Sequence, residues 1–238
     1  MSVTIFESFP PLTSGLLIKR YKRFLADAML ANGSVITAHT SNTGAMLDCS
    51  EPGRPVYLSY HDDPKRRYPY SWEMIEMPDG LVGVNTILPN RLAAKALEAG
   101  LITQGIKPIE VQREVRVGIE RSRLDLRAKM PDGAEVFVEV KSSTLVREGL
   151  ALFPDAVSLR GAKHLRELSN LVGPHSRAVI LVLVQRSGAK AFAPADFIDP
   201  GWGQTLREAI KSGVELLVHQ VDLSLTRAAW GHPLEARL

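Results

Sequence analysis

Three side chains with the right chemistry fall close together in the middle of the chain. In VFVEVKS, residues 136–142, an apolar strand pattern is interrupted by Glu139 and Lys141. Residues two apart on a strand project from the same face, so a carboxylate and an ammonium stand side by side. Upstream, RLDLRAK sets Asp125 between Leu124 and Leu126, and MPDGA (130–134) joins the two segments. Pro131, Asp132 and Gly133 suit a three-residue hairpin loop with the glycine left-handed. Pairing Met130 with Ala134 carries Leu126 onto Val138 and Asp125 onto Glu139, with opposed Cβ atoms about 4.5–5.5 Å apart. The reverse face then sets Leu124, Leu126 and Ala128 against Val140, Val138 and Val136, wholly apolar. The Asp125 face carries Arg123, Arg127, Glu139 and Lys141 instead. A slip of one residue would mix the two sets, so the pattern supports this register.

Two carboxylates that close repel each other in a low dielectric unless a cation lies between them. A hard divalent ion with oxygen ligands, Mg2+ or Mn2+, would relieve this and keep several waters. One such water, its pKa lowered, becomes a nucleophile for a phosphodiester. Lys141 would position that water or stabilise charge in the transition state. The competing reading is an ordinary salt-bridged sheet face, in which Arg123 and Arg127 neutralise both acids.

The elements that must hold these residues divide into two rhythms. From about residue 16 to 84 the chain reads as five short strands separated by turns, with Asn32-Gly33 a favoured hairpin turn. That fits a small β-barrel, and among nucleic-acid-binding barrels an OB-fold. After Pro89, NRLAAKALEAG reads as a helix capped by Asn90 and stopped by Gly100. Strands are expected over 110–117, 121–130 and 135–141, a helix over 158–171, a strand over 178–185, a helix over 204–212 and a strand over 214–221. This order, αβββαβαβ, describes a sheet with helices on its faces. The fold class is α/β plus a small β-barrel, with domains 1–86 and 87–238.

Composition narrows the function. A single cysteine, Cys49, excludes an internal disulfide framework and a cysteine-based zinc cage and suits a reducing cytoplasm. MSVTIFESFPPL lacks the basic start and apolar run of a secretory leader, and 178–184 is too short to span a bilayer. A cytoplasmic protein without a membrane partner is expected. The net charge of +3 is modest but clustered. Lys19, Arg20, Lys22 and Arg23 form one group, and Lys65, Arg66 and Arg67 another beside Tyr68, Tyr70 and Trp72. Cations beside rings suit a surface that tracks a nucleic-acid strand, with Tyr70 and its neighbours stacking on bases. A solvated basic face with the rings turned inward is the other reading. Arg160, Lys163 and His164 recur at helical spacing on the first turns of the 158–171 helix, within reach of a phosphate at the acids. The small polar residues around Gly44 in HTSNTGAML form either a phosphate-holding loop or a tight turn.

Several long segments in order, SNTGAML, DDPKRRYPYSWEMIE, LVGVNTILPNRL and SRLDLRAKMPDGAEVFVEVKSSTLVREGLALFPDAVSLRGAKHLREL, closely resemble the sugar fermentation stimulation protein A (SfsA) family. The resemblance extends over nearly the whole chain. It implies an N-terminal OB-fold-like domain and a C-terminal PD-(D/E)xK, restriction-endonuclease-like domain. It also implies DNA as partner and a link to the regulation of sugar use, chiefly maltose. Matched residue by residue, Asp125 is the first acid of that motif, preceded by Leu124 where the motif has proline. Glu139 and Lys141 are its second acid and lysine. Many superfamily members take a further acid from the first helix. Glu98 is the acid of that helix here, with Glu114 its competitor. The reading is a nuclease with Asp125, Glu139 and Glu98 around Mg2+ or Mn2+. The alternative is a DNA-binding regulator whose nuclease-like half is an inactive scaffold. Oligomeric state is open, a homodimer included.

Overall fold

The computed structural model describes residues 5–118 and 122–238. The first strands are β1 (Phe6–Ser8), β2 (Leu12–Tyr21), β3 (Leu25–Leu30), β4 (Val35–His39), β5 (Pro55–Tyr60), β6 (Tyr70–Met77) and β7 (Gly80–Gly83). Then come α1 (Ile87–Glu98), β8 (Glu110–Val117), β9 (Ser122–Lys129), β10 (Glu135–Ser143), β11 (Leu145–Arg147), β12 (Leu150–Phe153) and α2 (Leu159–Leu171). The chain ends with β13 (Ser176–Val184), β14 (Ala191–Pro194), α3 (Pro200–Lys211), β15 (Glu215–Leu223), β16 (Arg227–Pro233) and β17 (Glu235–Ala236).

Strands β4-β3-β2-β5-β6 lie in that order, and a parallel pairing of β4 with β6 at Ala38–Tyr70 and His39–Ser71 closes them into a five-stranded barrel. Alternating small and large apolar residues fill its interior, among them Leu17, Ala26, Ala38, Leu58, Trp72 and Ile75. Closure leaves few free strand edges. The second body is a seven-stranded sheet in the order β1-β16-β15-β13-β10-β9-β8. In it β10, β13 and β15 run parallel. Runs such as Val179 to Val184 are apolar throughout because both faces of the sheet are covered. Leu92, Ala93 and Leu97 of α1 pack one face against Leu126, Val138 and Leu181. Leu165 and Leu168 of α2, with Trp202 and Leu206 of α3, cover the other at Phe137, Ile180 and Val182. A small sheet, β11-β12-β14-β17, joins that second layer through Ala151 and Phe192.

The fold departs from the sequence-based expectations at four points. Strand β1 pairs with β16, so the first residues belong to the large sheet and not to a 1–86 unit with the barrel. Helix α1 starts at Ile87, and Asn90 lies inside it, not at its cap. Helix α3 starts at Pro200, because the Asp199 side chain accepts the Trp202 N–H and proline suits the first turn. Strand β16 and the small sheet were not foreseen. The expected strand start at Arg121 lies outside the described residues.

Candidate active site

The hairpin between β9 and β10 sets the register. Gly133 has φ 88°, and the Met130 N–H donates to the Ala134 carbonyl at 2.8 Å. Pairs then run Lys129–Glu135, Ala128–Val136, Arg127–Phe137 and Leu126–Val138. There the ladder stops, and Asp125 fills the break. Its Oδ2 accepts the Val140 N–H at 2.8 Å, and its Oδ1 accepts the Asn90 Nδ2–H at 2.8 Å. On the other side of β9, Glu114 takes a left-handed φ of 55°, uncommon for a residue with a Cβ. Side-chain alternation flips at this point. Leu126 and Val111 pack in the α1 layer, whereas Leu124 and Val117 pack in the α2–α3 layer. The expectation that Leu124 shares a face with Leu126 and Ala128 is therefore corrected.

Glu139 is buried, 3% exposed. Its Oε1 accepts from Lys141 Nζ at 2.6 Å and makes a short contact with His164 Nδ1. His164 Nε2 in turn accepts from Arg160 Nε at 3.3 Å, which fixes Nδ1 as the protonated nitrogen facing Glu139. Oε2 of Glu139 is buried with no hydrogen-bond partner among the described residues. A buried carboxylate oxygen left bare costs about 1–3 kcal/mol or more, so it marks a place for a missing partner. The arginines do not supply it. Arg127 donates to Glu135 at 2.8 Å, and Arg123 pairs with Glu114 at 3.3 Å. That disposes of the salt-bridged sheet face.

Asp125, Glu139 and Lys141 line one cavity of about 430 Å³. Burial pushes the Asp125 carboxyl up to about 6, and the neighbouring Glu139 charge adds to this against the pull of the Val140 N–H, Lys141 and Asn90. Burial raises Glu139 too, but Lys141 and His164 outweigh it and hold that carboxyl below its ordinary range. The pair is thus split into one acid firmly charged and one reluctant to ionise without a cation. Two hard carboxylate oxygen donors, one of them bare, fit Mg2+ or Mn2+ with waters completing the shell. Among the described residues no group of three or more His, Cys, Asp or Glu converges as a metal site.

Other expected residues fall in different places. Glu98 is exposed at the far end of α1 and is not in the cavity; Asn90, two turns nearer the helix start, faces Asp125 in its stead. That corrects Glu98 as a ligand. Glu114 and Arg123 do line the cavity. His164 is buried and holds Glu139, so it is not a phosphate contact, whereas Arg160 is exposed and lines the cavity. Lys163 is half-buried on the same helix. Arg20 is corrected as well. Its guanidinium donates to the carbonyls of Arg23, Asn42 and Gly44 at 2.6, 3.0 and 2.8 Å and holds the 41–46 loop. Arg23 is exposed and lines the cavity, with Lys22 and Lys19 exposed nearby. Lys65 and Arg67 are exposed, and Arg66 donates to Ser71 at 3.2 Å. Trp72 is in the barrel core, and Tyr70 packs edge-on against Tyr60, so the aromatic stripe is largely packing. Gln185 and Arg186 join the two domains: Gly83 N–H donates to the Gln185 carbonyl, and Arg186 grips Asp79 with two bonds.

The sequence reading missed Asn90 as a partner of Asp125, and also Ser41, Thr86 and Asp155. Ser41 Oγ accepts the Thr86 N–H at 2.9 Å, and Asp155 Oδ2 accepts the Met46 N–H at 2.7 Å. These bonds carry the barrel loop to the sheet domain's site, and no local pattern announces them.

Comparison with known proteins now places the chain. Residues 87–227 match the family model described as the sugar fermentation stimulation protein RE domain, and residues 18–84 match the SfsA N-terminal OB domain. The chain belongs to the sugar fermentation stimulation protein (SfsA) family. A homolog of that name from Shewanella baltica (strain OS185) is 45% identical over 221 residues, covering 92% of this chain and 94% of the relative. One from Geobacter sulfurreducens is 49% identical over 211 residues, covering 88% and 89%. The solved structure of the Pyrococcus furiosus SfsA in complex with Ca2+ superimposes with a TM-score of 0.88 at 27% identity over the whole of both chains. The SfsA fold here is an OB barrel followed by a restriction-endonuclease-like domain. Among the described residues no helix is long and apolar enough to cross a membrane.

Proposed function

We propose that this SfsA protein is a divalent-metal-dependent phosphodiesterase acting on nucleic acid, DNA first. One observation carries the reading: a buried Glu139 with a bare Oε2 shares a solvent-reaching cavity with Asp125, whose carboxyl resists ionisation, and with Lys141. Asp125 and Glu139 are the residues that would hold the ion. A bound Mg2+ or Mn2+ supplies a water of lowered pKa and neutralises charge on the phosphate. The relative solved with Ca2+ supports an ion of the same hard, oxygen-seeking class.

The chain's own residues do the rest. Asn90 and the Val140 N–H fix both oxygens of Asp125, so the carboxylate is oriented before any ligand arrives. Lys141 and His164 share Oε1 of Glu139 and leave the buried Oε2 without a partner among the described residues, free to serve as a donor. Lys141 stands where an ammonium can hold the attacking water and offset charge on the phosphorus centre. Arg23 and Arg160 present cations to the flanking phosphates. Binding to DNA through the same surface is also how the protein would act in the control of sugar use.

The second reading, a regulator with an idle site, draws on the lack of a third converging acid among the described residues. Incubation with oligonucleotides in Mn2+ or EDTA, alongside Asp125→Ala and Glu139→Ala, separates the two. Cleavage that needs metal and is lost in both variants supports the phosphodiesterase. DNA binding with no cleavage under any metal supports the regulator.

A further inference from the structure

The cavity that holds the acids has one rigid wall and one sticky rim. The wall is the 41–46 loop of the barrel. Arg20 ties it to the barrel through the carbonyls of Asn42, Gly44 and Ala45, Ser41 ties it to the start of α1, and Asp155 ties it to the segment after β12. Asn42 Oδ1 also accepts the Gly44 N–H at 2.9 Å. Gly44 lies so near Asp155 that a Cβ there would stand 2.4 and 2.7 Å from its carboxylate oxygens. A loop fastened at three places to two domains does not swing aside like a lid. The space it bounds, about 430 Å³, is of the size that holds a single nucleotide-sized group.

The opposite rim is residues 157–160. Ser158 turns inward: its Oγ accepts the Gly161 N–H at 3.0 Å, and its own N–H reaches Asp199 at 2.7 Å. Its two neighbours turn out. Val157, which lines the cavity, is 69% exposed, and Leu159 is 84% exposed. Nothing in the fold covers them, and water penalises such surface by roughly 25 cal/mol per Å². Arg160 follows at once, and Arg23 adds a second cation on the same cavity, where Arg123 is already paired with Glu114. Apolar side chains beside arginines are what unstacked bases and their phosphates need. A continuous duplex keeps its bases stacked on one another, so its phosphates can meet the arginines but its base faces cannot rest on the apolar rim.

We propose that the site accepts an unpaired strand: a single strand or unpaired end of nucleic acid, passed between the fixed 41–46 wall and the 157–160 rim. Bases rest on Val157 and Leu159, and phosphates are held by Arg23 and Arg160. The inference rests on reading this cavity as the phosphodiesterase site, and its test has a binding arm that does not depend on cleavage.

In EDTA, anisotropy of labelled oligonucleotides on the full chain compares one sequence as single-stranded DNA, as single-stranded RNA and as blunt duplex. The single strand, in DNA or RNA form, is expected to bind about tenfold or more tighter than the duplex, and whichever form binds better identifies the sugar that is read. Val157→Ser with Leu159→Ser is expected to weaken single-strand binding about five- to tenfold, near the low end of one stacked base, and leave duplex binding unchanged. Equal or tighter duplex binding, or an equal loss on both, overturns the proposal. With Mn2+, cleavage confined to unpaired substrates supports it, and blunt duplex cut at the same rate overturns it while leaving the phosphodiesterase standing. Strand-selective binding with no cleavage of any substrate supports the strand preference and overturns the phosphodiesterase.

Discussion

Asp125→Asn separates the cost of the site from its use. Burial and Glu139 raise the Asp125 carboxyl from 3.8 to about 6. An acid whose folded pKa lies above its unfolded value binds protons more tightly when folded, so the metal-free protein loses stability as pH rises from about 4 to about 6 and stays at the lower level above that. The full span corresponds to about 3 kcal/mol. Asparagine removes the charge and can keep both hydrogen bonds: its Oδ1 accepts the Val140 N–H, and its amide donates to Asn90 once that side chain turns over. The site is half-open to water and Lys141 loses a partner, so a gain nearer 1–2 kcal/mol is expected, about 2–8 °C in Tm for a chain of this size. The assay is thermal unfolding of both proteins in EDTA from pH 4.5 to 8. The variant should be the more stable above pH 6, with the difference shrinking to about a third of its full size by pH 4.5. Adding Mn2+ at a hundred times its Kd should raise wild type by about 2.7 kcal/mol and the variant far less, reversing the order. A variant less stable than wild type at pH 7.5 in EDTA would refute the argument, because it would mean the Asp125 charge is fully compensated without an ion.

Other perturbations test separate parts. Lys141→Met should lower cleavage about a hundredfold or more while the Kd for Mn2+, read by calorimetry, changes little. His164→Ala strips one of two partners from Glu139 and opens a buried void. A loss of about 2–3 kcal/mol is expected in denaturant unfolding, with His164→Gln recovering part of it. Gly44→Ala forces Asp155 away from the Met46 N–H. It should cost about 1–2 kcal/mol in the same assay and loosen the barrel wall, seen as faster amide exchange over 41–46. Removing charge at Lys65 and Arg67 should weaken DNA binding and flatten its salt slope by about one for each phosphate no longer neutralised; an unchanged slope would take that patch out of the interface.

Much of the site was legible because its logic is local. Gly133, Asp132 and Pro131 dictate a short loop, and a short loop dictates the register that runs to Leu126–Val138. Two-residue periodicity then puts Glu139 and Lys141 on one side. The reading went astray where side chains replace backbone. Asp125 stands in for a ladder acceptor, Glu114 takes a left-handed backbone, and Leu124 changes layer, none of which a regular strand pattern encodes. Asn90 looked like a helix cap because its residue type favours caps, but Thr86 and Ser41 already organise the helix start. Arg20 and His164 looked like phosphate contacts because charge clusters do not reveal which cation is committed to carbonyls or to a buried acid. Residues 6–8 fell within the expected 1–86 domain because nothing local announces a pairing with β16 at the opposite end of the chain. The family resemblance brought the two domains together; the contacts between them are visible only in three dimensions.

The central claim is that Asp125 and Glu139 share one ion. A crystal of the full chain soaked in Mn2+ and measured at the manganese edge tests it most directly. The account expects one anomalous peak in coordination contact with a carboxylate oxygen of Asp125 and with Oε2 of Glu139, absent in Asp125→Ala. No peak between those two acids at saturating Mn2+, or a peak held by other residues, would contradict it.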